Sequence, residues 1–433
     1  MLTGRDRLCF AAAIGLIVVA GFVQSWNTAF AILNFALISA ILSLGINIQW
    51  GYAGLFNIGA AGFVALGGFA VVIVSVPPVE EAWRAGGVRV LLALLIGLAT
   101  VLTAIFVWGR LRPGRIRTIS VVALLCTGLW VYRWLFDPAV SAIESVNPAG
   151  TGFLGGLGLP VLLAWPVGGL LAAAAAFVIG KIALGLRSDY LAIATLGIAE
   201  VIIALLKHED WLTRGVKNVA GLPRPVPYEV DLQRTDWFAN LANRLDVELA
   251  GFSSIFVKLC YTAILLAVLI SLLILCERAL KSPWGRMMRA IRENETAAEA
   301  MGKDVKRRHL HVFMLGSAVC GIAGAMVTTL DGQFTPAAYQ PLRFTFLIWV
   351  MVIVGGSGNN WGAVLGGIVI WFFWIEVETL GHLLLDAATV WMSPDSPVRL
   401  HLMDSAAHMR NLTMGLVLLL VMRFRPRGII PER

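Results

Sequence analysis

Glu200 sits inside the apolar run 189–206. A carboxylate at membrane depth is costly to bury, so it marks either a functional position or a structural pair within a helix bundle. Two further segments gather side-chain amides among glycines. Gly51, Gly54, Gly59, Gly62, Gly67 and Gly68 stand with Asn47, Gln49 and Asn57, and Gly355, Gly356, Gly358, Gly362, Gly366 and Gly367 stand with Asn359 and Asn360. Each interior glycine weakens a helix by about 1 kcal/mol relative to alanine. Such clusters therefore permit close helix packing, the commoner use, or mark a helix that breaks and turns its backbone dipoles toward a polar solute. Enzyme chemistry finds no support. His309 and His311 are two apart and point to different helix faces. The five cysteines form no CxxC spacing, no Ser/His/Asp or Cys/His arrangement has supporting context, and the GGSG at 355–358 lacks the Lys-Ser/Thr of a phosphate loop.

The elements that must position these residues are membrane helices. Of 433 residues, 58% are hydrophobic and 14% charged, too little charge to cover a soluble surface. Stretches such as Val90 to Trp108 and Phe344 to Phe373 carry no charge and are long enough to cross a hydrocarbon core of roughly 30 Å. Twelve spans are expected: 8–24, 28–48, 52–76, 88–109, 118–136, 160–180, 189–206, 252–276, 309–330, 343–358, 362–385 and 411–422. Arg5 and Arg7 before the first run read as the flank of an uncleaved helix, not of a signal peptide.

The net charge of +8 gathers in loop 110–117, loop 277–308 and the tail with Arg423, Arg425, Arg427 and Arg433. With twelve spans and both termini in the cytoplasm, all three fall on the cytoplasmic side. This clustering argues against nucleic-acid binding. Loops 207–251 and 386–410 then face outward, and Pro223, Pro225 and Pro227 disfavour a continuous helix in the first. Loop 277–308 reads as a short helix bent at Asn294 and stopped at Gly302, with Met287, Ala290, Ile291, Ala297, Ala298 and Met301 as apolar contacts. It lies on anionic lipid or inserts into a groove on an ATPase subunit.

Three stretches resemble one family. They are SPWGRMMRAIRENETAAEAMGKDVKRRHLHVFMLGSAVCGIAGAM within 282–326, LSLGINIQWGYAGLFNIGAAGFVALGGFA from Leu42 to Ala70, and VMVIVGGSGNNWGAVLGGIVI from Val350 to Ile370. DYLAIATLGIAEVI followed by WLTRGVKNVAGLPRP is a weaker fourth. Together they resemble LivM-type permeases of branched-chain amino acid ABC transporters, apart from residues 77–180, which look longer than in many relatives. The loop motif Glu-Ala-Ala, three residues, Gly is not met strictly: Thr296-Ala297-Ala298 stands before Gly302, with the acid displaced to Glu295 and Glu299.

The resemblance implies an all-α polytopic transmembrane bundle of about 10–12 spans, one permease domain over residues 1–433, in a bacterial inner membrane. Partners implied are a homologous permease, two cytoplasmic ATPase subunits, an extracytoplasmic substrate-binding protein and membrane lipid. ATP and Mg belong to the ATPase subunits, and this chain binds no cofactor or metal. Arg286, Arg289, Ala290, Arg292, Glu293, Asn294, Ala297, Ala298, Glu299 and Gly302 are the expected ATPase-coupling residues. Asn47, Gln49, Gly51, Gly54, Asn57, Gly59, Glu200, Gly355, Gly356 and Asn359 are the expected translocation-pathway residues. A urea or short-amide permease and an ion-coupled secondary transporter remain the alternatives.

Overall fold

The computed structural model describes residues 3–148, 150–393 and 396–432; Arg433, expected in the basic tail, lies outside them. All twelve apolar segments are helical. They are α1 (Gly4–Val23), α2 (Trp26–Ala53), α3 (Ala60–Ser75), α4 (Val88–Arg110), α5 (Arg115–Ser145), α6 (Ala164–Ala183), α7 (Ser188–His208) and α8 (Leu249–Lys281). Loop helices α9 (Pro283–Glu293) and α10 (Glu295–Ala300) follow, then α11 (Val305–Asp331), α12 (Pro341–Gly355), α13 (Asn360–Thr389) and α14 (Met409–Phe424). Among the described residues nine helices cross a membrane by length and composition, or ten if α14 joins the bent helix Pro397–Asp404. α3 and α12 fall short in either count, and α14 does so when taken alone. At about 1.5 Å per residue, α3 rises only about 24 Å.

A short helix at membrane depth needs protein around its ends, and α3 has it. Its flanking backbone donors reach side chains: Ile58 N to Thr195 Oγ1 at 3.1 Å, Gly59 N to Asn57 Oδ1 at 2.8 Å and Ala61 N to Thr345 Oγ1 at 3.4 Å. The core comprises α2, α3, α6, α8, α11, α12 and α13. Small residues set its helix spacing. A Cβ on Gly67 would collide with the Gly321 carbonyl, and one on Gly168 would stand 3.1 Å from Gly67 Cα, so α3, α6 and α11 cross backbone to backbone. α4 and α5 pack on each other as an outlying hairpin with apolar outer faces.

The chain between α7 and α8 is broken into short pieces, including helices Glu229–Gln233 and Asp236–Arg244. Its strand β1 (Val219–Ala220) pairs antiparallel with β2 (Gln333–Phe334) before α12. At the opposite, basic end lie the start of α1, the ends of α2 and α8, α9, α10 and the tail.

Candidate functional site

At the basic end the two glycine-rich turns meet. α2 ends at Gly54 in the left-handed region (φ +68), and α12 ends against Gly356 at φ +116, conformations that cost glycine little. The breaks leave backbone groups that amides satisfy. Asn47 Oδ1 accepts from Gly358 N at 2.8 Å, and Asn359 Oδ1 caps α13 by accepting from Trp361 N at 3.0 Å. Gln49 donates to Phe313 O and Ser317 Oγ, both at 3.0 Å, and accepts from Asn57 Nδ2 at 2.8 Å. Asn360 Oδ1 accepts from Asn47 Nδ2 at 3.2 Å and from the Tyr52 hydroxyl, while its Nδ2 donates to Glu277 Oε1 at 3.0 Å. Asn47, Gln49 and Asn57 are fully buried. Gly51 lies so close to Gly358 that a Cβ would come within 2.6 Å of its nitrogen. Gly59 packs on the Thr195 backbone and Gly355 on Gly362. Both readings of the clusters thus hold: the helices break at 54–59 and 356–359, and the other glycines pack closely.

The basic loop is joined to this hub. Asn294 is extended and separates two helices instead of bending one, and its side chain caps α10 by accepting from Ala297 N at 2.9 Å. Arg292 donates to Gly51 O and to both carboxylate oxygens of Glu432, at 3.0 and 2.8 Å. The tail that carries Glu432 returns along α12, with Ile429 N on Val354 O at 2.9 Å and Ile430 N on Gly355 O at 3.0 Å. Asn359 Nδ2 donates to Pro431 O at 3.1 Å. One guanidinium therefore holds a loop helix, the end of α2 and the tail together.

The loop's inward and outward faces differ from the expected set. Met288, Ile291 and Ala298 are buried on the bundle, so Ala298 does not present itself to a partner. Its small size admits α10 against its own chain. Arg286, Ala290, Glu293, Ala297, Glu299 and Gly302 are exposed, and Met301 is 80% exposed. Gly302 (φ +75) closes α10, with Gly302 N on Glu299 O at 2.8 Å and Lys303 N on Ala298 O at 3.1 Å. Arg289 turns back to donate to Leu280 O at 3.2 Å.

Glu200 is exposed on the outer face of α7 and has no hydrogen-bond or ion-pair partner among the described residues. The structural reading, a pair inside this bundle, does not hold. The exposed stripe Ile193, Gly197, Glu200 and Ala204 follows helical spacing. Sequence reading had overlooked Tyr52, Ser317, Trp349 and Glu432. Trp349 closes on Phe56 and Trp50 at 4.6 and 5.3 Å between ring centroids and donates to Asn57 O at 3.0 Å. Glu432 could have been flagged as a lone acid in an arginine-rich tail.

The family model described as branched-chain amino acid transport system / permease component matches residues 28–153 and 139–422. The chain belongs to this permease family. The chain is 29% identical over 272 residues to the high-affinity branched-chain amino acid transport system permease protein LivM of Escherichia coli (strain K12), which covers 61% of this chain and 56% of that protein. It thus spans little more than half the length of that relative. The probable branched-chain amino acid transport permease protein LivM of Methanocaldococcus jannaschii is 25% identical over 398 residues, 91% of this chain and 90% of that one. The probable LivH permease of the same organism is 32% identical over 133 residues, 31% of this chain and 38% of that one. No solved structure matches the chain. The two family matches overlap at 139–153, in and just after α5 of the outlying hairpin.

Proposed function

We propose that this chain is a membrane-spanning permease subunit of an ABC importer for branched-chain or related apolar amino acids, in a bacterial inner membrane with both termini in the cytoplasm. The observation that carries the reading is the Arg292 bridge, which links a surface helix pair to the broken-helix hub. A helix pair fixed to the ends of α2 and α12 can pass a push from outside the membrane into the bundle. Two ATPase subunits dock on the exposed faces of α9 and α10 and hydrolyse ATP with Mg; this chain binds neither and is no enzyme itself. A homologous permease completes the route, a substrate-binding protein docks at the β1–β2 end, and lipid surrounds the hairpin.

In this conformation Asn47, Gln49, Asn57 and Asn359, with Gly51, Gly54, Gly59, Gly355 and Gly356, seal the basic end of the route. Their amides trade partners as the loop helices move. Glu200 faces the second permease or the water-filled route, because an unpaired carboxylate facing lipid is costly.

Reconstitution with the second permease, the ATPases and the binding protein tests the proposal. ATP-driven leucine uptake that persists with an uncoupler is expected. Uptake that tracks an ion gradient would return the chain to the secondary transporters. Transport of urea or acetamide with leucine excluded would leave the ABC assignment standing and change the substrate.

A further inference from the structure

A large cavity lies on the flank of the bundle and ends beside the hub, at Trp361 and Glu277. α1 and α8 stand on either side of α2 and leave a groove of about 850 Å³. Its floor and walls are almost wholly apolar, with Ala13 and Ile17 from α1, Leu33 from α2, and Leu269, Ile270 and Leu273 from α8. Ala13, Ile17, Leu269 and Leu273 are buried, whereas Ile14, Leu266 and Ile270 stand exposed along the rims. The groove is therefore a channel open along its side to the hydrocarbon.

Its ends are chemically different. At one end Asn34 and Thr262 close α2 on α8 through a 2.7 Å bond, and one turn further Lys258 Nζ donates to Asn27 O at 3.0 Å. At the other end the lining turns charged, with Glu277, Arg278 and Lys281. Glu277 is drawn back to the hub by Asn360 and reaches Lys281 only at 3.6 Å. Arg278 is exposed and has no hydrogen-bond or ion-pair partner among the described residues. From Leu266 to Arg278 the wall of α8 rises about 18 Å, close to one leaflet of a hydrocarbon core roughly 30 Å thick.

We propose that this groove is a binding site for one anionic phospholipid, with acyl chain along α1, α2 and α8 and phosphate on Arg278 and Lys281. Charge complementarity selects the occupant. Basic clusters between transmembrane helices on the cytoplasmic side bind anionic headgroups, and nothing in the apolar length offers a partner to a polar ligand. A helix of the second permease would bury the apolar rims equally well but leave Arg278 at the mouth without an acid and Lys281 with only Glu277, at 3.6 Å. The headgroup end adjoins Ser282, where α9 begins, so the lipid sits at the root of the coupling helices. This orientation rests on the cytoplasmic placement of the basic loop proposed above.

Native mass spectrometry of the intact complex, released from membranes in mild detergent, reads the site. Phosphatidylglycerol and phosphatidylethanolamine with matched acyl chains are the probes. The wild type should retain phosphatidylglycerol at least tenfold better. Arg278→Gln with Lys281→Gln should abolish that preference while leaving subunit composition intact, and Ala13→Phe should displace both lipids. If Ala13→Phe does not assemble, the charge variants decide alone. Equal retention of the two lipids, or an unchanged preference in the Gln variants, overturns the proposal. So does disulfide trapping of Ile270→Cys to the second permease, which would show that protein covers the groove. Leucine uptake by the wild-type complex is measured in parallel, so a failed lipid site and a failed permease assignment give different results.

Discussion

Arg292 is the side chain on which the surface helices, the α2 terminus and the tail converge. Its fork serves two acceptors at once, the Gly51 carbonyl and the Glu432 carboxylate, a geometry that lysine does not reproduce. Bonds to charged groups contribute about 1.5–3 kcal/mol each. Arg292→Ala and Arg292→Lys should both leave ATP hydrolysis running while leucine uptake falls on the order of tenfold or more. Pairing Arg292→Ala with Glu432→Ala in a double-mutant cycle should show the two to be non-additive; strict additivity in thermal unfolding would deny the bridge. Glu200 is the other residue with a sharp expectation. Glu200→Gln keeps the shape and removes the charge, so uptake should drop on the order of tenfold with membrane insertion unchanged. Full uptake by the Gln variant, measured at equal protein level, strikes Glu200 from the route.

At the scale of elements, two contrasts follow from which face each residue presents. On α10 Ala298 packs inward, and Met301, just past its end, points out. Met301→Asp should leave the fold intact and release the ATPase subunits on co-purification. Ala298→Asp buries a carboxylate with no partner beside it, a desolvation penalty that lowers the yield of folded protein. If the two variants behave alike, the docking face is misassigned. The crossing of α3, α6 and α11 gives the second contrast. Gly67→Val drives a side chain into the Gly321 carbonyl and should cost about 1–3 kcal/mol or more, read as a lower melting temperature in detergent. Gly197→Ala meets open space on α7 and should melt with the wild type. A wild-type melting curve for Gly67→Val would show that the helices have room to separate.

For the whole molecule, the basic end collects loop 110–117, the loop helices and the tail, and the opposite end carries the β1–β2 pair. Single cysteines at Asn294 and Lys303, both exposed, should react only from the cytoplasm, and one at Asp231 only from outside. The background must first lose Cys126, which is exposed on α5. Labelling of Lys303→Cys in intact cells by an impermeant reagent inverts the topology.

Membrane residence, the helical class and the twelve apolar segments were legible in the sequence because hydrocarbon imposes one requirement on every residue of a span: apolar side chains and a closed backbone. The short helices of loop 277–308 were legible for a related reason, since charge density and a glycine stop are local properties. The two glycine clusters could be seen but not resolved into packing and breaking, because Gly51 packs only by virtue of Gly358, more than three hundred residues away. The inward turn of Ala298 and Arg292, the exposed face of Glu200 and the shortness of α3 and α12 likewise depend on what lies opposite each residue. Helical periodicity states which residues share a face. Which face meets the bundle is a property of the other helices, and the tertiary structure alone decides it.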